Sequence, residues 1–228
     1  KKDRKKAILK FMQPTSPAIR ALRFLGINHL VRGFFKISPA PMRRWYKNKQ
    51  KIRGRARLVH DQAVRECFEK VVGILQKENV AIGDYLEFGV YNGSTMTWMQ
   101  RTLQKAGMSD VRIFGFDSFE GLPDYAADDC GGHWKPGEFR SSLEFTKSVL
   151  EHEGVDMERV HLVKGFFHDS CTPELREKHS IKRSALVMID CDLYQSTVDA
   201  FNFCEPIFAE TTIVMFDDWY PLADRNEG

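Results

Sequence analysis

The sequence predicts an α/β domain built on a doubly wound, mostly parallel sheet, preceded by a basic helical arm. Three observations lead there. Apolar runs of strand length alternate with stretches of helical spacing from Leu58 onward. Residues 186–189 are continuously apolar, as expected of a strand buried on both faces, and residues 212–216 nearly repeat the pattern. Both runs end in paired acids, Asp190 with Asp192 and Asp217 with Asp218. In open parallel sheets the carboxyl ends of the strands are where functional groups are presented.

Taken in order, residues 1–57 form the arm, punctuated by Pro14, Pro17, Pro39 and Pro41. Residues 16–36 predict a helix whose apolar face is interrupted by Arg20, Arg23 and Arg32. Residues 43–57 hold eight basic residues and read as solvated or bound to an anion. The folded domain spans 58–228. A helix over 59–79 places Val64, Phe68, Val71, Val72 and Leu75 near helical spacing, and Gly83-Asp84 ends it. A strand over 85–90 runs into Gly93-Ser94-Thr95, which opens a helix to residue 105. The next strand, 111–116, ends at Asp117. A loop rich in Gly, Pro and acids fills 119–139, a helix 141–153, a strand 160–164, and a short helix 172–178 with Pro173 at its first position. The buried strand at 185–189, a helix over 196–208 and the strand ending at Asp217 complete the order. The chain starts at Lys1 and stops at Gly228 soon after its fifth strand, so it reads as truncated, with a carboxyl-terminal part missing from the sheet.

Charge divides the chain at the same boundary. Residues 1–60 carry 18 Lys/Arg and one acid, Asp3; residues 61–228 carry 16 Lys/Arg against 30 Asp/Glu. The arm therefore suits an anionic membrane surface, the acidic domain of its own or a partner subunit, or nucleic acid. The acid-rich domain argues against a polyanionic substrate, so the expectation is peripheral contact at the inner membrane face or packing in a homo-oligomer, with docking on its own acidic domain or disorder of the arm as the other readings. Five cysteines (Cys67, Cys130, Cys171, Cys191 and Cys204) show no C-x-x-C spacing, which points to free thiols, a reducing cytoplasmic setting and no zinc. No apolar run approaches the ~20 residues of a membrane span.

The first chemical motif is the turn from Glu87 to Thr95. Gly89 allows a left-handed turn and close approach of a ligand; Gly93 allows tight packing at the helix start. Ser94 and Thr95 add hydroxyls to the free N–H groups of that helix end. Tyr91 occupies the place of the middle glycine of a dinucleotide fingerprint, which argues against a pyrophosphate here. Glu87, at the strand end, suits a cationic amino group. Asp117, followed by Ser118, stands where ribose hydroxyls are held in nucleotide-binding sheets, or else caps a turn.

Five ordered segments then carry a resemblance: residues 87–95, 115–123, 163–169, 189–197 and 216–220. Together they resemble the macrocin O-methyltransferase (TylF-like) family, over about residues 58–226. The resemblance implies a Rossmann-like class I S-adenosylmethionine (SAM) fold, magnesium or another divalent cation, and methyl transfer to a hydroxyl, often on a sugar. It assigns the metal to Asp190, Asp217 and Asp218, and the base to Asp192. The residue chemistry agrees: hard oxygen donors without His or Cys suit Mg²⁺, and clustered carboxylates repel one another unless a cation is present. If the strand conformation continues, Asp192 shares a side with Asp190; otherwise it caps the following helix.

The cofactor set is completed by Phe166, expected to pack on adenine, and by Asp169 at its polar edge. The loop at 119–139 exceeds an ordinary connection and reads as a lid, with Tyr125 or Trp134 stacking on a sugar or covering the cofactor, and His133 a weaker candidate. The expected activity is thus a SAM- and Mg²⁺-dependent O-methyltransferase acting on a sugar hydroxyl of a glycan or glycosylated small molecule. The alternatives are a nucleic-acid methyltransferase using the basic arm and a non-catalytic SAM-binding module.

Overall fold

The structure, a computed structural model, describes residues 62–129 and 131–217. The arm, its expected helix and the domain boundary near residue 57 lie outside the described residues. Among the described residues, five strands form one sheet in the order β3-β2-β1-β4-β5, and every pairing is parallel. The strands are β1 (Tyr85–Phe88), β2 (Ile113–Asp117), β3 (Val160–Lys164), β4 (Ser184–Ile189) and β5 (Phe208–Phe216). The helices are α1 (Gln62–Lys77), α2 (Ser94–Lys105), α3 (Ala126–Asp129), α4 (Leu143–Glu153), α5 (Phe167–Ser170), α6 (Pro173–His179) and α7 (Tyr194–Cys204).

The chain winds outward from β1 to β3, then returns to lay β4 on the other side of β1. The direction reverses between β1 and β4, the switch point where an open sheet leaves a crevice for ligands. Both central strands are buried throughout, which is why they carry almost no polar side chain apart from Ser184 and Glu87. One face of the sheet is covered by α1 and α2: Phe68, Val71, Val72 and Leu75, at i, i+3, i+4 and i+7, meet Met96, Met99 and Leu103 over Tyr85, Ile113 and Met188. The other face packs Phe88, Phe116, Val187 and Ile189 against Ala200 and Phe203 of α7. There Phe88 and Phe116 stack at 4.6 Å between ring centres.

Local rules set most helix ends. Ser142 caps α4 by accepting the Phe145 N–H, and Gly154 closes it in the left-handed conformation. Thr172 caps α6 in the same way, with Pro173 in its first turn. The expected helix over 196–208 is instead α7 followed by a 3-10 turn, Glu205–Ile207. Pro206 brings no N–H to the ladder, and Phe208 already belongs to β5. The loop at 119–139 contains α3, and a further turn, α5, follows β3.

At the amino edge of the sheet, Arg112 donates from Nε and Nη2 to the two oxygens of Asp84, both at 2.7 Å, and from Nη1 to the His179 carbonyl at 2.9 Å. This fork ties the start of β1 to β2 and to the end of α6. Asp84→Ala leaves that guanidinium beside the buried edge without its carboxylate. Arg112 is 37% exposed, so the expected loss is about 2 kcal/mol, below the figure for a fully buried pair. Urea unfolding midpoints of the wild type and the variant measure it.

Candidate functional site

The register of the sheet aligns the residues that follow the strands. Phe88 pairs with Phe116 on one side and Ile189 on the other, and Ile189 pairs with Phe216. The ladder continues one step further: Gly89 N–H donates to the Phe116 carbonyl, Asp190 N–H to Phe88, and Asp217 N–H to Ile189. Asp117, Gly89, Asp190 and Asp217 therefore form one row along the carboxyl edge. A register shift between Ser184 and Leu186 is needed for this. Were the offset of the Ser184–Phe208 pair kept along β4, Asp190 would stand beside Val214.

A cavity of about 330 Å³ opens over this row. Gly89, Tyr91, Asp117 and Ser118 line it from β1 and β2, Phe166 and Phe167 from beyond β3, and Asp190, Cys191, Asp192, Ser196 and Asp217 from β4, α7 and β5. Gly121, Leu122, Pro123, Tyr125 and Phe139 of the long loop supply the remaining wall.

Gly89 has φ 87°, and a Cβ there would overlap the carbonyl oxygen of Asp190. The turn thus needs glycine both for conformation and for space. Gly93, at φ 81°, caps α2 against Leu150 and does not line the cavity. Tyr91 adopts φ 47° although it is not glycine, so the backbone follows the turn that the missing glycine would have made easy. Phe139 (φ 56°) and Asp192 (φ 62°) are left-handed as well, as is the buried Phe119 beside Ser118 (φ 54°). Backbone in this region carries strain, and these residues gather around the cavity.

Asp117 is the knot of the cofactor half. Its Oδ2 accepts the Val90 and Tyr91 N–H groups, each at 2.9 Å, and its Oδ1 accepts the Phe119 N–H at 2.6 Å. Burial pushes its pKa up while these amides pull it down. Three of about four acceptor positions are occupied, so the carboxylate has room for one further donor, not two. Ser118 lines the cavity, with its hydroxyl donating to the Gly121 carbonyl at 2.7 Å.

Other expected contacts lie elsewhere. Glu87 is fully buried on the α2 side of β1, where strand alternation turns it away from the cavity. Its oxygens accept from Tyr85 Oη at 2.7 Å and Thr95 Oγ1 at 2.6 Å. Thr95 is thereby committed inside, and Ser94 Oγ donates to Asn92 Oδ1 at 2.7 Å; neither lines the cavity. Asp169 pairs with His168 at 3.1 Å outside the cavity, while Phe166 stacks on His168 and does line it. On the loop, Tyr125 faces the cavity. Trp134 does not; it packs edge-on behind Phe139 at 4.8 Å, next to His133.

Asp190, Asp192 and Asp217 all line the cavity; Asp218 lies outside the described residues. The expectation that Asp192 would follow Asp190 by strand alternation fails, because β4 ends at Ile189 and Asp192 is left-handed. Residues 190–192 instead curve so that all three border the cavity. Burial pushes the Cys191 thiol up to about 12, so it stays protonated and is no nucleophile. Among the described residues, no group of three or more His, Cys, Asp or Glu is gathered closely enough to hold a metal ion. The all-oxygen donors at the ends of β4 and β5 are nevertheless of the type magnesium takes. Sequence reasoning missed Phe139, Leu122, Pro123 and Ser196 as cavity walls. Their only signal was membership of a long loop or of the ordered segments.

A five-stranded parallel sheet of this order, with its crevice at the switch point between a glycine turn and two acid-tipped strands, defines the Rossmann-like fold of class I SAM-dependent methyltransferases. The chain belongs to the macrocin O-methyltransferase (TylF) family, whose model matches residues 42–225. It is 28% identical over 184 residues to the demethyldecarbamoylnovobiocin O-methyltransferase of Streptomyces niveus, covering 78% of this chain and 65% of the relative. It is 29% identical over 143 residues to an 8-demethyl-8-(2,3-dimethoxy-alpha-L-rhamnosyl)-tetracenomycin-C 4'-O-methyltransferase of Streptomyces olivaceus, covering 60% and 53%. The chain thus spans between half and two-thirds of the length of these relatives. The structure of the O-methyltransferase NovP superposes with a TM-score of 0.54 at 26% identity, covering 69% of this chain and 63% of that one. The calicheamicin methyltransferase CalS11 superposes at 0.58 with 23% identity, covering 90% and 79%, and so shares the fold.

Burial raises the pKa of Glu87 from the ordinary 4.5 to about 7, against the pull of its Thr95 and Tyr85 hydrogen bonds. The folded protein keeps this proton where the unfolded chain has released it. Stability is therefore highest below pH 4.5 for this group, falls as pH rises from 4.5 to 7, and levels off above, a loss on the order of 3 kcal/mol. In Glu87→Gln this descent should flatten, as read from denaturation midpoints between pH 4.5 and 8.

Proposed function

We propose that the chain carries out SAM-dependent O-methylation of a sugar hydroxyl on a glycosylated small molecule, with a divalent cation at the acid edge. The observation that supports this reading best is the single cavity joining the Gly89 turn and Asp117 to Asp190, Asp192 and Asp217. Both relatives from Streptomyces are named as O-methyltransferases, and the substrate in one name carries a rhamnosyl group, which supports the acceptor class.

In this reading the Gly89–Tyr91 turn and Asp117 hold the amino-acid and ribose parts of SAM, and Phe166 faces its adenine. Glu87 acts behind the turn, through Thr95 and the start of α2, rather than on the ligand. Asp190 and Asp217, with Asp218, would hold Mg²⁺; a bound divalent cation lowers the pKa of a hydroxyl it touches and fixes its orientation. Asp192 takes the proton from the acceptor hydroxyl as the methyl group is transferred. Tyr125, Phe139 and Leu122 offer an apolar wall against the acceptor and help exclude water.

The nucleic-acid reading rests on the basic arm, and four carboxylates at one cavity oppose a polyanion there. For the arm, the proposal is contact with an anionic membrane or packing between copies of a cytoplasmic homo-oligomer. Vesicle pelleting and mass measurement, with and without residues 1–57, separate these two.

Calorimetry with SAM and a turnover screen of glycoside acceptors with Mg²⁺ test the central claim. Asp190→Ala and Asp217→Ala should lose turnover by at least about 100-fold while SAM affinity changes by no more than about threefold. Asp117→Ala should weaken SAM binding by about tenfold or more, through both the lost contact and the released Val90–Tyr91 turn. Full activity in the presence of EDTA would remove the metal from the mechanism.

A further inference from the structure

Helix α7 starts directly after the 190–192 curve, and its first turn has no cap of its own. The residue at the cap position is Leu193, which has no side-chain acceptor. The long loop supplies one: Asp129 Oδ2 accepts the Gln195 N–H at 3.3 Å. A second loop residue lands on the same turn, with Tyr125 Oη 3.4 Å from Ser196 Oγ. Asp199 lies one turn further along that face of α7. Its Oδ1 accepts from Gln195 Nε2 at 3.0 Å, but its Oδ2 is buried with no hydrogen-bond partner. A buried acceptor without a donor bears its desolvation cost unrelieved. The Tyr125 hydroxyl already sits on this face of the helix, at Ser196, one turn before Asp199.

The cavity itself is small for two ligands. About 330 Å³ is at the lower end of the range for one bound molecule. A cofactor and an acceptor that meet there need more room than this, which a shift of the Tyr125 part of the loop along α7 would supply.

We propose that the first turn of α7 is the seat of this loop, with Asp129 as the α7 cap and Tyr125 passing its hydroxyl from Ser196 to Asp199 Oδ2 when the cavity fills. Asp129 and Tyr125 are then positioning residues. They act on Asp190 and Asp192 through the helix that those residues lead into. Closing the loop and ordering the acid edge become one event, because both depend on the same turn of helix. The Tyr125 step rests on the SAM reading above; the Asp129 cap does not.

Amide exchange followed by NMR, without ligand and with saturating SAM, tests both parts. Asp129→Ala should speed exchange at the Gln195 and Ser196 amides roughly five- to tenfold without ligand, the scale of a lost cap. Asp128→Ala, the exposed neighbour, should leave them unchanged, and Asp129→Asn, which keeps a capping oxygen, should stay near the wild type. Tyr125→Phe gives up only the long 3.4 Å Ser196 contact without ligand, so it should exchange less than about twofold faster there, but it should lose the added protection that SAM gives to residues 193–199. Equal behaviour of the Asp129→Ala and Asp128→Ala proteins overturns the cap. Full SAM-induced protection in Tyr125→Phe overturns the hydroxyl transfer. If the wild type binds no SAM, the cofactor reading and the Tyr125 step fall together, and the ligand-free comparison still decides the cap.

Discussion

The close contact between the Gly89 turn and the Asp190 carbonyl is the constraint on which the site depends. It joins the two central strands at their carboxyl ends, with no space for a side chain between them. Because β1 and β4 meet so closely, the turn after β1 must bend left-handed, which drives Tyr91 into the same region and aims two backbone amides at Asp117. On the other side, the same contact fixes where residues 190–192 begin to curve. The Gly89–Tyr91 turn with Asp117 and the acid row at 190–192, the two sides of the cavity, thereby meet at this contact.

Within that frame the carboxylates are distinguished by what already occupies their oxygens. Glu87 sits inside the sheet, answered by Tyr85 and Thr95, and favours its neutral form. Asp117 is knitted into two loops by three amides and keeps a single acceptor position for a ligand. Asp190, Asp192 and Asp217 border the cavity itself. One residue type thus serves as buried support, as loop clamp and as ligand-facing group, according to strand parity and the nearby N–H supply. Lone-pair accounting separates these roles more sharply than sequence position does.

The loop from Ser118 to Phe139 contributes one wall of the cavity. It is pinned at its base, where the Leu122 N–H donates to the Glu138 carbonyl and the Gly137 N–H to Leu122. Beyond that neck two polar contacts join it to α7, from Asp129 to the Gln195 N–H and from Tyr125 to Ser196. Family membership extends from residue 42 to 225, yet the chain spans only part of its curated relatives.

The sequence by itself determined the alternation of elements, the buried character of β4, the glycine turn and the acid tips, because period and turn chemistry are local. Ser142, Thr172 and Pro173 marked their helix starts for the same reason. It did not determine which acids face the cavity. Glu87 and Asp190 both follow apolar strand residues, yet one is sealed under α2 and the other borders the cavity, since the answer depends on where each strand stops. Nor could local pattern place Asp217 beside Asp190. That took the register shift between β4 and β5, a property of two strands separated by α7 and a 3-10 turn. Asp192 was reached by a curve rather than by strand alternation, and Phe139 by a loop folding back, both decided by packing around a cavity that exists only once the sheet has closed over its edge.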